Sequence, residues 1–327
     1  MAQQAPGQHY RKGISLVEIM RMFPDDATAE AWFASTRWPD GPRCPACDSD
    51  NVLSGAKHKT MPYRCRAKGC RKRFSVKTGT VMEASNIGYQ KWAMAMYLSL
   101  TSLKSVSSMK LHRDLDISQK SAWHMAHRLR QAFAQASDEP MAGPVEVDET
   151  FVGGKRKNMS NAQRAELADA GRGTVGKTAV AGIKDRATNQ VRAEVVPDTT
   201  RATLQGFVGE HAAAGATIYT DEATAYAGLP NHETVRHSVG EYVRDQAHTN
   251  GLESFWAALK RAHDGVFHKM SPKHLDRYVQ EFAGKHNVRG ADTRDQLRGL
   301  VADMDGRRLT YDALIAPNGL SSGARRS

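Results

Sequence analysis

Apolar residues in the first third of the chain recur at helical spacing. Leu16, Ile19, Met20 and Phe23 mark one face of a helix over 15–23, with Ser15 placed to cap it, and Pro24-Asp25-Asp26 separates this from a second short helix over 27–35. Further on, Trp92, Met96, Leu98, Leu100 and Leu103 outline an apolar helix suited to a core. Residues 104–115 and 118–133 follow as two amphipathic segments joined by the Asp116-Ile117 turn, with Ser118 able to cap the second. That is the layout of a helix-turn-helix; a plain helical bundle is the alternative. Its second helix would offer Gln119, Lys120, His124 and Arg128 to a DNA major groove, leaving Trp123, Met125 and Leu129 to pack.

Beyond the turn-rich 137–144 the period changes. Val145, Val147, Phe151 and Val152 surround Asp148 and Glu149 before Gly153-Gly154, which reads as a buried strand carrying carboxylates. A basic, Gly-rich loop over 155–177 separates it from a hairpin of strands over 178–184 and 190–196. A helix over 200–214, a short strand over 216–220 ending at Asp221-Glu222, and a weak strand over 232–242 come next. Helical pattern then runs from 248 to about 286 with a break near Gly265. Strands interleaved with helices in this order predict a mixed sheet with helices on it.

The domain plan expected is a helical segment (1–36), a cysteine-bearing segment (37–80), a helix-turn-helix-like DNA-binding domain (81–138), a catalytic domain (144–290) and a tail (291–327). With 327 residues and 40% apolar content the chain can bury more than one core. No apolar run approaches the roughly 18–20 residues of a membrane span, and the N-terminus lacks an apolar signal core, so a cytoplasmic protein with reduced cysteines is expected.

All four cysteines then acquire a reading. They fall as Cys44-x2-Cys47 and Cys65-x4-Cys70, two close pairs separated by a loop, a spacing that lets four thiolates converge tetrahedrally on structural Zn²⁺. Charge adds a partner. Residues 1–144 carry 21 Lys/Arg against 12 Asp/Glu, whereas residues 145–327 are nearly balanced at 25 against 23. Between residues 57 and 77 stand nine Lys/Arg, Lys72 and Arg73 among them, and no acid, so the ribbon presents a positive face to double-stranded DNA unless that face is merely solvated.

The back half supplies acids instead. A carboxylate buried in a sheet is costly unless paired or holding a cation. Asp148 on the first strand, Asp221 at the tip of a later one and Glu253 on a crossing helix can meet as oxygen ligands for Mg²⁺ or Mn²⁺. A pair of such ions would activate a water or 3′-hydroxyl and stabilise the leaving oxygen of a phosphodiester.

The residues VEVDETFVGGK (145–155), Gly171-Arg172-Gly173 with Gly176-Lys177, Tyr219-Thr220-Asp221-Glu222-Ala223, and HTNGLESFWAALKR (248–261) together resemble the DDE-type insertion-sequence transposases of group fifteen-ninety-five, with an ISXO-like transposase domain. WPDGPRCPAC (38–47) resembles their zinc ribbon, and the likeness covers roughly residues 15–290. It implies an α+β multidomain chain, in which a zinc ribbon and helix-turn-helix precede a ribonuclease H-like α/β catalytic domain. It further implies binding of terminal inverted repeats, Mg²⁺-dependent strand cleavage and strand transfer, and a homo-oligomer on DNA, hence association with the nucleoid. Asp148 and Asp221 take the two aspartate positions. The third is Glu253 or Asn250: Glu253 lies within about 20° of the helix face of Lys260, which would steer a phosphate, while Asn250 lies about 60° from Glu253. Other readings are a non-catalytic DNA-binding regulator and a related nuclease without strand transfer. Trp256 is either core or a base-stacking side chain.

Overall fold

The computed structural model describes residues 12–134, 139–154, 159, 161–166, 174, 176–221, 223–234 and 250–322. It divides into two compact units, one formed by the chain up to Phe133 together with Val288–Ala316, the other by Ala134–Asn287 with the residues from Pro317.

The first unit begins with helices α1 (Leu16–Met22) and α2 (Asp26–Arg37). Ser15 closes a capping box with Glu18 at the start of α1, and Asp25 accepts the Thr28 N–H at the start of α2, so local side chains satisfy the first free amides of each helix. Three short strands, β1 (Val52–Leu53), β2 (Tyr63–Cys65) and β3 (Arg73–Phe74), pair antiparallel in that order. Helices α3 (Tyr89–Thr101), α4 (Ser108–Leu115) and α5 (Gln119–Phe133) follow. Asp116, in the left-handed conformation, ends α4, and the Ser118 hydroxyl accepts the Ser121 N–H to start α5, giving the expected tight turn.

One core serves this whole unit. Phe23, Phe33, Trp38, Phe74, Trp92, Met96, Leu111 and Leu129 belong to a single buried cluster, so the segments expected as separate domains are fused by shared burial. The tail expected from residue 291 is corrected as well. It forms α10 (Thr293–Ala302) and α11 (Tyr311–Ile315), and Leu297, Leu300, Val301 and Met304 complete the same core. Spacings of three and four residues put Leu297, Leu300 and Val301 on one helix face, which needs an apolar partner and finds it here.

The second unit is built on five strands in the order β6-β5-β4-β7-β8, with β4 at Val145–Val152, β5 at Thr178–Asp185, β6 at Val191–Val195, β7 at Ile218–Thr220 and β8 at His232–Thr234. The first three in sequence are antiparallel, and β7 and β8 run parallel to β4. Strand alternation splits the buried residues: Val145, Val147, Ala181 and Ile183 pack with Leu204, Phe207 and Val208 of α7 (Arg201–His211) on one face. Val152, Val180 and Ala193 pack on the other face with α8 (Asn250–Ala262) and α9 (Pro272–Val288). Between these two helices lies a π-turn over His263–Phe267 that ends on left-handed His268, close to the break expected at Gly265. Helix α6 (Asn161–Glu166) is the described part of the basic loop, and most of that loop and of the strand expected over 232–242 lie outside the described residues. The chain is thus α+β, with a three-stranded ribbon among the helices of the first unit and a mixed five-stranded sheet flanked by helices in the second. Among the described residues no helix is long and apolar enough to cross a membrane.

Candidate active site and metal centre

The four cysteines come together as their spacing predicts. Cys44 Sγ lies 3.6 Å from Cys70 Sγ and Cys47 Sγ 3.6 Å from Cys65 Sγ, and all four sulfurs lie within 4.8 Å of one another. Tetrahedral Zn²⁺ with Zn–S bonds near 2.3 Å separates its sulfurs by about 3.8 Å, so the set fits structural zinc. The Lys72 backbone N–H, pointing at Cys70, brings that thiol down to about 7, whereas burial raises Cys65, and at Cys47 the Ser49 N–H is outweighed by the neighbouring thiols, which push it up to about 12. Cys44 and Cys65 are buried in the core of the first unit, which ties the metal to folding. Lys72 and Arg73 stand exposed beside them.

The face of α5 nominated for DNA is partly occupied. Arg128 is buried, and its Nε donates to the Leu309 carbonyl at 3.1 Å and to His124 Nε2 at 3.1 Å. His124 Nε2 itself lies 3.2 Å from the same carbonyl, and burial followed by the Arg128 charge lowers its pKa. Lys120 Nζ sits 4.4 Å from the centre of the Tyr311 ring. The segment leading into α11 thus packs on the two residues expected to face a groove, burying Arg128 and leaving His124 half-buried. Gln119 and Lys120, one turn earlier, remain exposed.

At the sheet, β4 and β7 run side by side, with Val145 opposite Ile218 and Glu146 opposite Tyr219. Asp148 lies two residues past Glu146, in the middle of β4, and Asp221 two past Tyr219, just beyond the end of β7, so the two aspartates occupy the same level of adjoining parallel strands. Asp148 Oδ1 accepts the Glu149 N–H at 2.9 Å, and its Oδ2 accepts the indole N–H of Trp256 at 2.9 Å. Asp221 Oδ1 accepts the Ala223 N–H at 3.0 Å, turning the chain away after β7. Glu149, next along the strand and on the opposite face, accepts the Tyr226 hydroxyl at 2.7 Å. Burial, then the charges of Glu149 and Asp221, push Asp148 up to about 7. Burial likewise raises Glu149, with Asp221 adding to it and the Tyr226 bond opposing, and burial raises Tyr226.

Helix α8 crosses this face. Glu146, almost wholly buried, accepts Arg186 Nε at 2.9 Å and the Leu252 N–H at 3.2 Å, so the strand residue two before Asp148 holds the first turn of the helix. Asn250 and Glu253 lie exposed in that first turn, and Lys260 is exposed in the last. Among the described residues, the groups of three or more His, Cys, Asp or Glu with ligand atoms within 4.8 Å of one another are the four cysteines and Glu194, Glu210 and His211. Asp148 within β4 and Asp221 just past β7 lie on adjoining strands, Glu253 stands on the helix that packs over β4 and β5, and these three do not form such a group. Glu222, His248 and Gly171-Arg172-Gly173 lie outside the described residues.

Three contributors went unforeseen in the sequence: the Trp256 indole N–H, the Tyr226 hydroxyl and the Glu146 anchor. Only Glu146 left a trace there, a second acid at strand spacing from Asp148.

The donor set around Asp148 suits a hard divalent cation. Burial and the charges of Glu149 and Asp221 raise the cost of ionising Asp148, a cost that positive charge would offset.

Each of the two units contains a stretch similar to known proteins. Residues 140–287 match the ISXO2-like transposase domain, and residues 24–73 match the transposase zinc-ribbon domain. The chain is also 28% identical, over 300 residues, to an uncharacterised protein in transposable element ISH50 of Halobacterium salinarum, covering 86% of this chain and 98% of that one. A cysteine cluster fit for zinc is followed by Asp148 and Asp221 on adjoining parallel strands, and the two domain matches fall on those two regions in that order, so the chain carries a zinc-ribbon domain and an ISXO2-like domain similar to those of insertion-sequence transposases.

Proposed function

We propose that the protein is a DNA transposase that binds the terminal inverted repeats of its element and catalyses divalent-metal-dependent strand cleavage and strand transfer. The observation that carries this is the placement of Asp148 within β4 and Asp221 just past the adjoining parallel β7, where burial and the charges of Glu149 and Asp221 leave Asp148 hard to ionise without a cation. Asp148 and Asp221 would hold Mg²⁺ or Mn²⁺, with Glu253 or Asn250 from the first turn of α8 as third ligand. Such an ion lowers the pKa of an attacking water or 3′-hydroxyl and neutralises charge on the phosphodiester. Asp148 is oriented by the Trp256 and Glu149 N–H groups, so little reorganisation is needed when ligand arrives. Lys260, two turns along α8 from Glu253, would take a phosphate of the scissile strand. The exposed Lys72 and Arg73, with Gln119 and Lys120, would grip duplex DNA, and two or more copies would assemble on the element ends. Such a protein would associate with the nucleoid.

Purified protein given DNA carrying its own element ends should release nicked or excised ends with Mg²⁺, and joined products once a target plasmid is added. Asp148→Ala and Asp221→Ala should abolish both while end binding persists. Cleavage without joining would indicate a nuclease, and a wild-type chain inert on its own ends under all divalent metals would refute the enzyme.

A further inference from the structure

Gly182 and Trp256 meet in a way that the chemistry above does not require. Gly182 is the direct partner of Asp148 across the β4–β5 ladder, and neighbours in a ladder point to the same face. A Cβ on Gly182 would lie 2.6 Å from Cζ2 and 2.8 Å from Cη2 of the Trp256 indole, closer than atoms can approach. The glycine therefore opens a slot in the sheet in which the six-membered ring of the indole rests. With the ring seated there, its N–H lands 2.9 Å from Asp148 Oδ2.

The helix that carries Trp256 is itself locked in place. The Glu146 carboxylate takes the Leu252 N–H at one end of the contact, and Gly251, without a Cβ, leaves room beside it for the Lys184 ammonium and Glu146 Oε2. Trp256 follows Leu252 by four residues, one helical turn, on the same face. Both are fully enclosed, in the cluster with Phe255 and Leu259. Burial alone would be served by phenylalanine at this position. An indole N–H spent on a carboxylate is a directional contact that leaves the remaining lone pairs of Asp148 aimed in a fixed direction.

We infer that Trp256, seated over Gly182, is a positioning residue that orients the Asp148 carboxylate for a divalent cation. This rests on the metal-dependent reading proposed above. Metal ligands held by outer hydrogen bonds commonly lose about 10–100-fold in metal affinity when that bond is removed.

The test uses the full-length, zinc-loaded protein and Mn²⁺ as the probe, with binding followed by electron paramagnetic resonance of free Mn²⁺. Trp256→Phe keeps the ring and removes the donor, and Gly182→Ala keeps the donor and evicts the ring. Each should raise the Mn²⁺ Kd about tenfold or more, while thermal unfolding of Trp256→Phe stays close to wild type and excess Mn²⁺ restores its DNA cleavage. Asp148→Ala should lose the site and regain no cleavage at any Mn²⁺ concentration. Wild-type Mn²⁺ affinity in both Trp256→Phe and Gly182→Ala overturns the proposal while leaving the metal site standing. Wild type and Asp148→Ala binding Mn²⁺ identically overturns both the metal site and the role of Trp256.

Discussion

Replacing Asp148 by asparagine should abolish catalysis and make the Mg²⁺-free protein more stable at pH 8. An ordinary aspartate titrates near 3.8, whereas burial and the charges of Glu149 and Asp221 push Asp148 up to about 7. Between those two values the folded state binds a proton that the unfolded state has released, so stability falls as pH rises from about 4 to about 7 and the full cost persists above. A shift of that size corresponds to about 4 kcal/mol. Solvent reaches the partly open carboxylate, which reduces the recoverable part to about 1–3 kcal/mol. Asparagine can still accept the Trp256 N–H through its amide oxygen, but its amide nitrogen then faces the Glu149 N–H, and the missing hydrogen bond costs about 1 kcal/mol. The net expectation is a gain of up to about 2 kcal/mol at pH 8 that disappears by about pH 4. Urea unfolding of zinc-loaded wild type and variant, at both pH values and with Mg²⁺ omitted rather than chelated so that the ribbon keeps its metal, gives the comparison. An Asp148→Asn protein less stable than wild type at pH 8, or equally stabilised at pH 4, would refute the picture of a strained, cation-ready carboxylate.

Removing zinc with a chelator, or replacing Cys65 by serine, should cost several kcal/mol and loosen the whole first unit rather than the ribbon alone, because Cys44 and Cys65 sit in its shared core; near-ultraviolet circular dichroism and hydrogen exchange in α3 would register it. Glu146→Ala should destabilise the second unit by about 3–5 kcal/mol, since Arg186 loses a buried carboxylate and the first turn of α8 loses its acceptor; Glu146→Gln should cost less, and thermal melts of both would separate charge from hydrogen bonding. Arg128→Ala should destabilise the first unit by about 1–3 kcal/mol, seen as a lower melting temperature, with little change in the salt dependence of DNA binding. Lys72→Ala with Arg73→Ala should instead flatten that dependence, by about one unit of slope for each phosphate no longer neutralised, and leave the melt unchanged. The opposite pattern in binding titrations would return Arg128 to the DNA face.

Much of this protein was legible from spacing alone, because the relevant constraints are local. Two cysteine pairs at metal-binding intervals describe their own geometry, and the sulfurs meet accordingly. Strand alternation around Asp148, and the short apolar run before Asp221, are properties of single elements, and they put Asp148 within a buried strand and Asp221 just past the tip of another. The capped turn between α4 and α5 was equally readable, since Ser118 acts on a backbone amide three residues away. What lay beyond the sequence was which surface each face would meet. Nothing in α5 reveals that Leu309 and Tyr311 will cover His124 and Arg128, nor in α10 that its apolar stripe will close a core begun almost 280 residues earlier. Gly182 reads as one more small residue in a strand until an indole from a helix over seventy positions away is found lying in its place. Local hydrogen bonding and side-chain period decide the elements; the pairing of faces depends on shape and burial summed over the whole chain, and only the folded molecule contains that information.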